Sequence, residues 1–141
     1  MYLESCEPVV AYDTVIEMLS DSICAGAGWD QCDHHQPINI GRLLIPKDGE
    51  TYIARVTGES MKGIGIYDDD LILINHVMPV TSGSIVAVSL NGGTLVKRIR
   101  FREGGPIILE SENDDFPDVD ISEHSCFVVL GLVTSVTRMY V

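Results

Sequence analysis

Apolar and polar positions along this chain change rhythm near residue 50. Before that point the rhythm is loose. Val9, Val10, Tyr12, Val15, Ile16, Met18 and Leu19 can be laid on one rough face of a short helix, although Pro8 and the β-branched residues work against it. From Cys24 to Pro37, small residues, glycines and the pair His34 and His35 read as an irregular, mobile segment. Beyond it come short apolar runs bounded by turn residues, which predict strands at 52–56, 70–75, 84–90, 94–101, 107–109 and 126–139. Asn91-Gly92-Gly93 predicts a hairpin, and Gly104-Gly105-Pro106 a further turn. Short strands joined this way predict a mainly β domain of hairpins and twisted sheets over 38–141, preceded by a mobile N-terminal arm, 1–37. No internal repeat or low-complexity tract breaks the pattern.

Composition narrows the classes. A chain of 141 residues, 45% of them hydrophobic, can bury a proper core and is not expected to be disordered. Its longest apolar run, Cys126 to Val133, is far shorter than the roughly 20 residues of a membrane helix. The opening Met1-Tyr2-Leu3-Glu4 has no basic region leading into an apolar stretch, so no signal peptide is expected. Cys6, Cys24, Cys32 and Cys126 then read as reduced thiols in a cytoplasm. With 9 basic against 21 acidic residues, a net charge of −12, the chain would be repelled by a nucleic-acid backbone. Residues 1–41 hold no lysine or arginine, so neither an N-terminal DNA-binding domain nor direct DNA binding is expected. Protein partners suit this charge better.

Two clusters invite a metal. Cys24, Cys32, His34 and His35 lack the paired spacing of common zinc sites. Glu110, Glu112, Asp114, Asp115, Asp118 and Asp120 lack the order of a calcium loop and read as a solvated acidic stretch. No metal and no cofactor is expected. Trp29, beside Gly28, reads as a packing anchor for the arm.

The chemistry is carried by Val56-Thr57-Gly58-Glu59-Ser60-Met61-Lys62-Gly63-Ile64-Gly65, where one serine sits in a glycine-punctuated turn. Lys97 follows 37 residues later within Leu95-Val96-Lys97-Arg98-Ile99. A backbone N–H in such a turn can face a developing oxyanion. A free lysine, with a pKa of about 10.4, is almost wholly protonated at neutral pH. Burial in an apolar strand lowers that pKa and makes a usable general base, able to take a serine proton and return it to a leaving amine. The alternation around Lys97 leaves open whether it takes the buried or the exposed face, with Arg98 on the other.

These segments resemble, in order, those of the LexA/UmuD family of self-cleaving serine peptidases. The Thr57-to-Ile66 run is similar to the family's nucleophile loop. Asp68-Asp69-Asp70-Leu71 resembles its Asp-Gly-Asp-Leu turn, with Asp69 where the family has glycine. Gly83 to Val88, Thr94 to Ile99, the acidic Glu110-to-Pro117 loop and Gly131-Leu132-Val133 resemble its later strands and loop, and the whole likeness spans roughly 23–139. It implies the LexA-like peptidase fold, with Ser60 as nucleophile and Lys97 as general base. The backbone N–H groups of Ser60 and Glu59 would form the oxyanion hole. The bond cut would be Ala25-Gly26, with Cys24-Ala25 less favoured and Ala27-Gly28 a decoy. A glycine after the bond removes a Cβ that would crowd the attack.

Only 25 residues precede that bond, five of them acidic and none basic. This organisation resembles UmuD, the short relative that serves an error-prone translesion DNA polymerase in the SOS response. The likeness implies a homodimer whose cleavage is stimulated by the RecA–single-stranded-DNA filament as co-protease. The alternatives are the C-terminal self-cleavage and dimerisation part of a LexA-like or phage repressor, or a non-catalytic β-rich interaction module.

Overall fold

Strand 84–90 has few polar side chains to offer water on either face, and in the structure it is covered on both. Val86, Ala87 and Val88 are each fully buried. The computed structural model describes residues 2–8, 15–19, 35–45, 50–122 and 125–141. In chain order its elements are β1 (Tyr2–Pro8), β2 (Val15–Leu19), β3 (His35–Asn39), α1 (Ile40–Leu44), β4 (Thr51–Thr57), β5 (Leu71–Asn75), β6 (Ile85–Leu90), β7 (Gly93–Arg100), β8 (Ile108–Glu110), β9 (Val119–Asp120) and β10 (Phe127–Thr137). They fall into two compact units, Val10–Asp48 and a body of Met1–Val9 with Gly49–Val141. The fold is mainly β, as the turn-bounded apolar runs predict.

In the smaller unit β2 pairs antiparallel with β3, from Val15↔Asn39 to Leu19↔His35. The helical face drawn through Val15, Ile16, Met18 and Leu19 is therefore corrected to a strand. Two β-branched residues favour the extended form, and a partner strand supplies the hydrogen bonds that helical turns would have made. The irregular segment likewise ends earlier than expected, because His35, Gln36 and Pro37 already lie in β3. Helix α1 is a short extra, capped by the Asn39 side chain, which accepts from the Arg42 N–H at 3.1 Å.

The body is one antiparallel sheet in the order β1-β4-β5-β10-β6-β7-β8-β9, with a further contact between β1 and β7. Strand β10 lies between β5 and β6, and Gly131 lets it pass closely. A Cβ there would sit 2.7 Å from the Asn75 carbonyl oxygen. Two apolar clusters form the core. Ala54, Val56, Met61, Ile66, Ile72, Ile74, Ala87 and Val96 make one, while Val86, Val88, Ile99 and Leu109 make the other. Each fully buried valine or isoleucine contributes about 1.5–3 kcal/mol. Several together outweigh the few kcal/mol that burying an ion such as Asp70 or Lys97 costs.

Every carboxylate of Asp68-Asp69-Asp70 has a distinct partner. Asp68 Oδ1 accepts from the Gly58 N–H at 2.7 Å. Asp69 stands at φ 71°, the left-handed region where glycine is at ease. Arg55 Nη1 holds it there, donating to Oδ1 at 2.9 Å and to the Asp69 carbonyl at 3.2 Å. Asp70, 1% exposed, receives Arg138 Nε at 2.7 Å, Arg138 Nη2 at 2.6 Å and the Tyr67 N–H at 2.8 Å. The Arg138 guanidinium also lies over the Tyr67 ring at 4.3 Å and donates to the Gly65 carbonyl. That bidentate bond holds the Asp70 carboxyl below the usual carboxylate range.

Two stability tests follow. In Asp69→Gly, relief of a left-handed aspartate offsets loss of an exposed ion pair, so urea unfolding should place it within about 1 kcal/mol of wild type. For Asp70 the folded pKa is depressed, so its contribution is full above the unfolded carboxylate pKa and is lost as pH falls through the folded one. Arg138→Met should therefore destabilise most near neutrality, with the gap to wild type narrowing below about pH 4 in pH-dependent denaturation.

Candidate active site

Ser60 lies where β4 gives way to a single 3₁₀ turn, Lys62–Ile64. Gly58 bends the chain at φ 84°, and Gly65 ends the turn at φ 87°. Met61 is fully buried in the first core cluster and pins the turn down beside Ser60, itself fully buried. The Glu59 carbonyl accepts from the Lys62 N–H at 3.2 Å, closing the turn. Glu59 itself is exposed.

Lys97 sits mid-strand in β7, opposite Val86 of β6, and is only 5% exposed. The open question of its face is thus resolved toward the interior. Arg98 takes the other face, half-buried, donating from Nε to Glu112 Oε1 at 2.6 Å and from Nη1 to the Gly83 carbonyl at 2.6 Å. The Lys97 ammonium donates to Ser111 Oγ at 2.8 Å and lies 5.9 Å from the Phe116 ring centroid. Burial pushes its pKa below that of a free lysine, while the negative charge of Asp118 opposes the shift.

The segment Ser111-Glu112-Asn113 joins the two. Ser111 accepts from Lys97, and the next residue, Glu112, donates its N–H to the Ser60 carbonyl at 2.8 Å. Asn113 Nδ2 donates to the Glu59 carbonyl at 2.9 Å. The Gly63 N–H returns a bond to the Glu112 carbonyl at 2.7 Å, and a Cβ on Gly63 would stand 2.5 Å from that oxygen. Ser60 and Lys97, distant in sequence, are thereby held from adjacent residues of one strap. A serine and a lysine of lowered basicity in a water-poor junction are the parts that acyl transfer by an amine-activated hydroxyl requires.

Reasoning from the residues alone does not single out Ser111 and Asn113. Their only signal is their place inside the acidic loop, where carboxylates dominate the pattern. Three of those carboxylates have structural partners. Glu110 pairs with Arg100, Glu112 with Arg98, and Asp118 accepts from the Ser111 N–H. The expected cleavage residues Cys24, Ala25 and Gly26 lie outside the described residues, as do Trp29, Cys32 and His34. Among the described residues no three His, Cys, Asp or Glu side chains converge on a metal-sized site, and no helix is long and apolar enough to cross a membrane.

The chain has relatives among known proteins. The chain is 34% identical over 115 residues to a LexA repressor of Aliivibrio fischeri, covering 78% of this chain and 53% of that protein. It is 36% identical over 88 residues to a LexA repressor of Psychromonas ingrahamii, covering 62% of this chain and 42% of the relative. A LexA repressor of Marinobacter nauticus is 40% identical over 89 residues, covering 62% and 43%. The chain thus spans about half the length of the curated relatives it matches. The profile of the family described as Peptidase S24-like matches residues 17–134, most of the sequence and all of the junction just described. This chain belongs to the S24-like peptidases, the LexA/UmuD-type family of self-cleaving serine peptidases.

Proposed function

We propose that this chain is the self-cleavage and dimerisation part of a LexA-like repressor, in which residues 1–37 are the arm that carries the cut bond and 38–141 the peptidase domain. The observation that supports it most is the buried Lys97, tied through Ser111 to the strap that also grips the Ser60 turn. Neutral Lys97 takes the Ser60 proton, and Oγ attacks the Ala25 carbonyl carbon. The resulting oxyanion is met by the N–H groups of Ser60 and Glu59. Lys97 then gives its proton to the departing Gly26 amine, leaving an ester that water hydrolyses by the same base. Small residues at 24–26 let that carbonyl come close to the nucleophile.

A RecA–single-stranded-DNA filament would act by favouring the state in which the arm is docked, a shift of populations rather than new chemistry. Homodimerisation is supported by apolar residues left exposed along β10 and the chain after it: Val128, Leu130, Val136, Met139 and Tyr140. The setting would be a bacterial cytoplasm. A second reading, the UmuD-like subunit whose trimmed form serves an error-prone translesion polymerase, draws on the absence of lysine and arginine from residues 1–41.

Intact mass measured during incubation from pH 7 to pH 10 tests the chemistry. Cleavage should accelerate up to about tenfold per pH unit until Lys97 is mostly neutral, releasing a product that begins at Gly26. Ser60→Ala and Lys97→Ala should stay whole. A wild-type chain that stays whole at every pH, with activated filament added, overturns the proposal.

Stability gives a check independent of cleavage. Because burial depresses the folded pKa of Lys97, the unfolded chain binds more protons between the folded and free values, and stability rises with pH across that window. Lys97→Met should be more stable than Ser60→Ala at pH 7, with the advantage fading toward pH 10 in urea titrations.

A further inference from the structure

We propose that the first strand of the chain is a built-in competitor for the active site: β1 occupies the edge of β4 beside Ser60, the edge on which the peptide to be cut must lie, and has to leave before cleavage. The inference rests on the hydrolytic reading above and adds its control.

Hydrogen-bond direction identifies the edge. The Val56 N–H donates to the Asp70 carbonyl, and the Val56 carbonyl accepts from Asp69, so both its backbone groups face the β5 side. Alternation then turns the groups of Ile53 and Arg55 to the opposite side. There β1 pairs antiparallel, with Ser5 opposite Arg55 and Glu7 opposite Ile53. Its direction matters: Pro8 lies at the far end of β4, across from Tyr52, while Tyr2 lies at the Ser60 end. Tyr2 is across from Thr57 of β4 and also from Leu95 of β7. The beginning of β1 thus fills the gap between the strand that leads to the nucleophile and the strand that carries the base.

Topology says why this edge is the one a substrate can use. Strand β7 is paired with β6 along one edge and with β8 at Arg98–Arg100 on the other, and the other edge of β4 is taken by β5. Losing any of those pairings would open the apolar core. The β1 edge of β4 can be vacated with the β4–β5, β6–β7 and β7–β8 pairings all kept. Extended peptides dock by adding a strand to such an edge. The site is meanwhile shut, since Ser60 is fully buried and Lys97 is 5% exposed. A carbonyl must come within about 3–3.5 Å of the nucleophile, which a closed site does not admit. The occupant is held modestly: β1 is seven residues, its register shifts between Leu3 and Ser5, and it carries two glutamates.

The test is Ser5→Pro in the full chain, which removes a ladder N–H and cannot hold the paired geometry. Two readouts are taken. If β1 is docked about nine-tenths of the time, freeing the edge should speed self-cleavage about tenfold at fixed pH. Amide hydrogen exchange, read in a Ser60→Ala background to prevent cleavage, should show Ile53 and Arg55 losing protection while Ala54, Val56 and Val88 keep theirs. A synthetic peptide of residues 2–8 added to Ser5→Pro should slow cleavage again. Cleavage at the wild-type rate or slower, with the Ile53 and Arg55 amides exposed and Val88 protected, overturns the competitor role. Unchanged protection of Ile53 and Arg55 overturns the docking itself. Absence of cleavage in wild type and Ser5→Pro alike instead removes the hydrolytic reading, and the exchange pattern still decides whether β1 holds the edge.

Discussion

A lysine enclosed in an apolar sheet is an expensive arrangement, and much of the body is explained by keeping it enclosed. Lys97 is tolerated because β6 pairs with it at Val86, β8 pairs from the next residue, Arg98, onward, and Ser111 supplies an acceptor for its ammonium. Take the acceptor away and a charged group is buried without a partner, a loss of several kcal/mol. Open the sheet and the lysine regains water, and with it the high pKa of a free lysine. Rigidity and the lowered basicity of Lys97 are the same requirement here. The strap 111–113 meets both, since the residue that quiets Lys97 is bonded to the residue that fixes the Ser60 turn.

The Asp68-Asp69-Asp70 turn that follows the Ser60 loop is organised by charge rather than by apolar contact. Asp68 fastens the Gly58 bend from below, and Asp70 gathers Tyr67 and Arg138 around itself. Asp69 accomplishes with a side-chain ion pair what glycine accomplishes by having no side chain. The departure from the family's Asp-Gly-Asp-Leu pattern is thereby explained: the left-handed backbone is kept, and Arg55 steadies it.

Most of the body was legible in the sequence because its signals are local. Strands such as 71–75 and 85–90 are short apolar runs between turn residues, and Asn91-Gly92 can do little but turn. Ser60 and Lys97 stand out in the sequence through residue type, setting and resemblance, and the structure buries both and ties them to one strap. The face of Lys97 was not, because Leu95, Val96, Lys97, Arg98 and Ile99 alternate too weakly, and only the partner strands decide it. The N-terminal strands were missed for a related reason. Residues 2–8 and 15–19 carry no clean period of two, and become strands because β4 and β3 offer them an edge. Ser111 and Asn113 were hidden by the carboxylates around them, four of which are exposed as a solvated loop requires, while Glu110 and Glu112 pair with Arg100 and Arg98.

Strand β10 comes late in the chain yet sits in the middle of the sheet, between β5 and β6. Until it has left the ribosome, β5 lacks one neighbour and β6 another, and Asp70 has no Arg138 to neutralise it. The halves of the body must wait for each other, which is the signature of slow, late folding. Synthesis therefore imposes its own order of events: the loop around Ser60 is not braced by Arg138 until β10 has found both of its neighbours, so the body sets as one cooperative unit rather than strand by strand.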